Sequence, residues 1–222
     1  MKGSWEPGFV GIYEVREAAR YLAVTTPKRD GPITSQTMLR WIRSGLALPA
    51  YRGVRGRELL IEFEDLVTMR MVARLRSAGF SLQHIRKVEN WLRSKTKYPR
   101  PFAIKPVWFR ESDIFSELEG YLLSISRCGQ HPLDFIKESI VRVDMTFDRS
   151  LVARSWEPHS DVLLDPRVQC GEPCIGGTRV PTRAIWSMVV GGDSPAVVAM
   201  SYEIEESQVR NGLEWERRLA AV

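Results

Sequence analysis

Three groups of residues in this sequence have types and spacings that could do chemistry. The first is cationic: Gln36, Arg40 and Arg43 recur at i, i+4 and i+7 with Thr37 beside them, and Arg52, Arg55 and Arg57 crowd a glycine-containing stretch just downstream. Arginine reaches guanine edges or phosphates and glutamine reaches adenine, so this set fits double-stranded DNA. The second is Cys170 and Cys174, which have three residues between them. Zinc sites favour other spacings and further ligands close by, and His84, His131 and His159 supply none, so no metal is expected. The third is Gly176-Gly177-Thr178-Arg179. Backbone amides and an arginine can cradle a phosphate, but no P-loop pattern is present. A tight turn clamped by a buried Arg179 salt bridge is the stronger expectation. Asp161, Asp165, Glu172 and Asp193 would suit a metal-dependent nuclease, yet they follow neither helical nor strand phasing. No catalytic residue and no cofactor is expected, and the chain reads as a binding protein with no enzyme activity.

The elements that must present the first group follow from periodicity. Ile12, Val15, Ala18, Ala19 and Leu22 predict an amphipathic helix. The polar run Val24–Pro32, with Pro27, Gly31 and Pro32, interrupts it. A second helix should start near Thr34 or Ser35, either of which can cap it, and stop at Gly45. Met38, Leu39 and Ile42 then face the first helix, which leaves Gln36, Arg40 and Arg43 outward. Tyr51–Phe63 predicts a hairpin in which Arg52, Arg55 and Arg57 form a phosphate-touching wing. Two more helices are expected, over Glu64–Ala78 and from the Ser81 cap to about Arg93, the latter packing Leu82, Ile85, Val88 and Leu92 on one side. Ser94–Pro101 breaks that helix. Residues 102–109, 121–126 and 140–147 are expected as short strands with a helical turn around Pro132–Glu138, and Trp108, Phe115, Phe135 and Phe147 as core. Near the C-terminus three helices are expected: one through Ala184, Ile185, Met188 and Val189, one from Ser194-Pro195 to about Tyr202, and one from Glu205 or Glu206 to Arg218.

Charge divides along the chain in the same way. The 222 residues carry a net +5, but residues 1–97 hold 18 Lys/Arg against 9 Asp/Glu, residues 98–160 hold 8 against 9, and residues 161–222 hold 6 against 9. A basic head joined to a slightly acidic remainder is the pattern of a nucleic-acid module attached to a part with another task. No stretch approaches the ~20 apolar residues of a membrane span and no signal-peptide apolar region opens the chain, so a cytoplasmic location away from membranes is expected. Three cysteines, an odd number, suit a reducing compartment.

Two stretches resemble known families. Ser35–Leu46 together with Gly79–Ile85, in this order around the hairpin, resembles the winged helix-turn-helix of MerR regulators. The resemblance implies DNA binding by the second helix and the wing, usually as a dimer. The stretch between the first two helices is long for that family, and the dimerising coiled coil that normally follows is missing. Gly171-Glu172-Pro173-Cys174-Ile175-Gly176-Gly177-Thr178-Arg179-Val180-Pro181, followed by three helices, resembles the domain of unknown function 433 (DUF433). That resemblance implies an antitoxin of a toxin–antitoxin pair, whose partner is a PIN-like ribonuclease.

The expected fold class is therefore α+β, mainly α. It comprises a MerR-like winged helix-turn-helix over residues 1–97, a small α+β connector over 98–160 and a DUF433-like three-helix domain over 161–222. The expected function is an antitoxin and repressor that binds operator DNA through Gln36, Thr37, Arg40, Arg43, Arg52, Arg55 and Arg57, as a homodimer. Arg179, Trp186, Tyr202 and Trp215 are the expected toxin-binding residues, the aromatic side chains because such residues concentrate at interfaces. Two other classes remain open: a regulator sensing a small molecule, and a small enzyme built on the Gly-Gly-Thr-Arg loop.

Overall fold

The structure is a computed structural model that describes residues 11–26, 33–46, 51–52, 59–109, 112–125 and 144–222, with backbone only for Tyr51, Arg52 and Ile125. The fold is α+β and mainly α. It divides into two compact units, Tyr13–Arg154 and, as the second, Ser155–Val222 together with the chain up to Ile12.

In the first unit a short strand β1 (Ile12–Glu14) leads directly into helix α1 (Val15–Thr25). Val15, Ala18, Ala19, Tyr21, Leu22 and Ala23 are buried, as the helical period requires, whereas Ile12 lies exposed on the strand and Tyr13 takes the inward position. Helix α2 (Ser35–Arg43) starts at Thr34, whose hydroxyl accepts the Thr37 amide proton at 3.2 Å. It ends at Gly45, whose φ of +83° closes the last turn at little steric cost. Its buried side chains Met38, Trp41 and Ile42 belong to the core, and the helix packs on α1. Strands β2 (Tyr51–Arg52) and β3 (Leu59–Glu62) pair antiparallel, Tyr51 opposite Leu60 and Arg52 opposite Leu59, and β1 lies on the other side of β3. Helix α3 (Phe63–Ser77) is buried on almost every face, with α1, β3, helix α4 (Leu82–Thr96) and the turn Pro101–Ala103 all against it.

The connector departs from expectation. Where strands were expected over 102–109 and 121–126, the described elements are helical: the turn Pro101–Ala103, α5 (Lys105–Trp108) and α6 (Asp113–Ile125). Phe115, Leu118 and Leu122 are buried at i, i+3 and i+7, so helical spacing overrides the strand preference of individual residues. Strand β4 (Met145–Phe147) agrees with the end of the expected 140–147 strand, while the helical turn at Pro132–Glu138 and Phe135 lie outside the described residues. Trp108 and Phe115 are core, and Phe147 is half-buried against Phe109. The Trp108 ring lies 5.4 Å from the Arg70 guanidinium and 5.5 Å from that of Arg74, and its Nε1 donates to the Phe102 carbonyl at 2.7 Å. Arg70 is paired with Asp144 at 2.5 Å.

In the second unit β5 (Ala153–His159), β6 (Val162–Leu164) and β7 (Cys174–Ile175) run antiparallel in that order, with Val162 opposite Ile175. Three helices follow: α7 (Thr182–Val190), α8 (Pro195–Tyr202) and α9 (Glu206–Ala220). Ile175, Ile185, Val198, Ala199, Val209 and Leu213 form their common core. Gly212 permits that packing. A Cβ there would sit 3.1 Å from the Ile175 Cδ1 and 3.5 Å from the Ile185 Cδ1, so glycine lets α9 lie close on α7 and β7.

Candidate functional site

The candidate nucleic-acid interface is the outer face of α2. Gln36, Arg40 and Arg43 are all exposed there, on the side opposite Met38 and Ile42. Thr37 is half-buried, and its hydroxyl lies 3.1 Å from that of Thr34 in the first turn. It therefore stands at the cap, with Gln36 beside it on the free face. The backbone of Arg52 lies on β2, but its side chain, Arg55 and Arg57 lie outside the described residues.

A network of ions sits at the foot of the hairpin, and sequence reasoning missed it. Glu62, the last residue of β3, caps α3 in a reciprocal capping box with Asp65. Arg100 binds both: its Nη2 is 2.8 Å from Glu62 and its Nε 2.9 Å from Asp65, whose residue is fully buried. Tyr98 donates its hydroxyl to Glu64 at 2.8 Å. Burial pushes the Asp65 and Glu64 carboxyls up, and the hydrogen bonds from Arg100 and Tyr98 oppose this. Nearby, burial pushes Glu89 up to about 7 against the pull of Arg93 and Arg86, with Asp65 adding to the rise. Only a partner search across 35 residues of sequence would have found Arg100, because it falls in the stretch read as a helix breaker.

The second unit carries the other sequence-predicted residues. The Gly-Gly-Thr-Arg run is a tight turn closed from within. The Gly176 amide donates to the Asp161 carbonyl, the Thr178 amide and hydroxyl to the Ile175 carbonyl, and the Val180 amide to the Thr178 hydroxyl. Those amides are committed to the turn and do not form a phosphate cradle. Arg179 does not form the expected buried salt bridge. Its side chain is exposed, and its carbonyl accepts from Gln169 Nε2 at 3.2 Å. The buried clamp of this run is Thr182, which bonds the Pro173 carbonyl and the Glu216 carboxylate.

Trp215 is fully buried, so it builds the core and is not available as a contact residue; the expectation for it is corrected. Trp186 and Tyr202 are half-buried against the helical core. Among the helices of this unit, large apolar side chains that do reach solvent include Val190 (69% exposed), Val197 (43%) and Met200 (76%), which sequence reasoning missed. The run Pro195–Met200 is apolar almost throughout, so its period does not separate core from surface. Cys174 is buried and desolvation pushes its thiol up to about 11, while Cys170 is exposed. Asp161 accepts from Asn211, Asp165 is paired with Arg167, and Glu172 is paired with Arg183. Among the described residues no three His, Cys, Asp or Glu side chains are grouped as metal ligands, and no helix is long and apolar enough to cross a membrane.

Comparison with known proteins agrees with this layout. Residues 13–90 match the family described as MerR HTH family regulatory protein, and residues 162–215 match the one described as Protein of unknown function (DUF433). The chain is similar in fold to a protein of known structure, "X-ray crystal structure of Rv2018 from Mycobacterium tuberculosis". The TM-score is 0.72 at 20% identity over 90% of this chain and 96% of that one. At that identity the similarity concerns the fold. No curated protein matches the sequence. The chain thus carries a MerR-like helix-turn-helix followed by a DUF433 region, and the first of these points to a DNA-binding regulator.

Proposed function

We propose that this protein is an antitoxin that represses its own operon as a DNA-bound homodimer in the cytoplasm, neutralises a PIN-like ribonuclease, and catalyses no reaction itself. The observation that carries the DNA half is the exposed Gln36, Arg40 and Arg43 stripe on a helix whose other face is core. A single such helix reads few base pairs, which favours a two-fold pair of copies on a repeated site. The toxin half is supported by the DUF433 match. It is supported also by exposed Arg179, by half-buried Trp186 and Tyr202, and by exposed Val190, Val197 and Met200 on the same unit. A cationic side chain and several exposed apolar ones on one unit suit a protein partner with acidic and apolar surface.

The test is co-expression with the product of the adjacent gene. The antitoxin reading expects a stable complex in which that product's ribonuclease activity is suppressed. A neighbour without ribonuclease activity, or one active in this protein's presence, rejects the toxin half and leaves the regulator.

A further inference from the structure

We propose that the solvent face of α4 is a second DNA-binding surface of the first unit, one that grips phosphates and reads no bases. It rests on the reading of the chain as a DNA-binding protein. The face follows from how the helix packs. Ile85, Val88 and Leu92 are buried, and so is Glu89, the one acidic residue between Leu82 and Thr96. The opposite side exposes Gln83, Arg86, Lys87, Asn90 and Ser94, and the stripe continues to exposed Lys97 at the C-cap. At 3.6 residues per turn these positions occupy roughly a third of the circumference, and from Gln83 to Ser94 they extend about 17 Å. Each is a cation or a hydrogen-bond donor, and none is an acid.

A solvated helix face ordinarily mixes both signs. Helix α9 is such a case: it exposes Arg210, Glu214, Arg217 and Arg218, and Arg210 pairs with Glu206 at 2.6 Å. Helix α6 exposes Asp113 and Glu117 and has no cation at all. On α4 the acid is turned inward instead, with Glu89 held by Arg93 Nη2 at 2.6 Å. Lys95, which lies off the stripe, is taken by Glu117 at 2.8 Å. Among the described residues no carboxylate stands within ion-pair distance of Arg86, Lys87 or Lys97. Arg93 Nη1 also donates to Asn90 Oδ1 at 3.2 Å, which occupies the acceptor of that side chain and leaves its amide donors for a partner. Cations interleaved with Gln, Asn and Ser donors are the groups that bind phosphate oxygens. A duplex carries one charge per ~1.7 Å of its axis, so a stripe of this length meets a row of them. The same unit carries α2, which makes duplex DNA the occupant that sign and donor set both favour. The stripe also runs past Asn90, where the match to the MerR description ends.

The experiment measures the salt dependence of binding by the full chain to a long random-sequence duplex. Three variants are compared with the wild type: Arg40→Ala/Arg43→Ala on α2, the triple Arg86→Gln/Lys87→Gln/Lys97→Gln on α4, and Lys87→Glu. All three α4 positions are exposed, so the thermal transition should stay at the wild-type temperature. The triple should lower the slope of log K against log salt by about 2–3 units, and Lys87→Glu by about 1, which decides the matter if the triple does not fold. The order of preference in a survey of randomised duplexes should be that of the wild type, because phosphate contacts position and do not specify. Folded α4 variants at the wild-type slope, beside an α2 variant that lowers it, reject the α4 surface alone, whatever else that face then binds. Wild-type slopes in every variant reject the DNA reading and this inference with it. A triple that reorders the preferred sequences shows base reading and overturns the phosphate role.

Discussion

Gln36 and Arg40 stand four residues apart on the free face of α2, at the separation that brings side chains side by side along one groove. Contacts to base edges specify, so replacing either with alanine should change the order of preference among duplex sequences, by about 1–3 kcal/mol at the affected base. Arg43 at the end of the helix should weaken all sequences alike. A binding survey over randomised duplexes separates these outcomes. For Arg179 the exposed side chain makes a firm distinction: Arg179→Ala should keep the wild-type melting temperature and reduce inhibition of the ribonuclease, read by thermal unfolding beside a cleavage assay. Glu89 gives a pH prediction. Its folded value of about 7 lies above the ordinary 4.5, so the stability it confers is full below the ordinary value and is lost as pH rises through 7. Arg93, Arg86 and Asp65 are the charges that face it. Glu89→Gln should flatten the decline in stability between pH 5 and 8, by on the order of 1–3 kcal/mol across the range. An unchanged pH profile would show that Glu89 titrates as an ordinary carboxyl.

At the scale of elements, periodicity carried most of the fold. Helices α1, α2, α3, α4, α7 and α9 were legible because their apolar residues recur at three and four, and α8 from its Ser194-Pro195 start, while Thr34, Ser81 and Ser194 cap as their types suggest. The segment after α4 was misread. Val, Ile and Phe there favour strands singly, but Phe115, Leu118 and Leu122 bury one helical stripe against α4 and α5, which only the longer window reveals. The candidate site divides likewise. The stripe on α2 follows from spacing alone, whereas Arg100 pairs with residues 35 and 38 positions earlier, and local pattern holds no trace of a long-range ion pair. Trp215 was misjudged for a third reason: aromatic residues favour interfaces and cores alike, and only packing decides between them. The close approach of α9 to α7 yields a prediction of its own. Gly212→Val would drive branched carbons into Ile175 and Ile185, with an expected loss of about 1–3 kcal/mol in chemical denaturation and no loss of DNA affinity. A neutral Gly212→Val would mean that the helices can separate freely.

For the whole molecule, the proposed function assigns two tasks to one chain: DNA binding to the basic module and toxin binding to the second unit. The excess of Lys/Arg over Asp/Glu in residues 1–97, reversed in residues 161–222, agrees with that division. Separate units make separable defects the natural expectation. The most direct measurement titrates the ribonuclease activity of the adjacent gene's product with three full-length proteins, and measures operator binding on the same samples. These are the wild type, Arg40→Ala/Arg43→Ala and Arg179→Ala. The account predicts that the α2 variant loses DNA and still inhibits, while Arg179→Ala keeps DNA and inhibits poorly. Inhibition that fails in the α2 variant and survives in Arg179→Ala would contradict it.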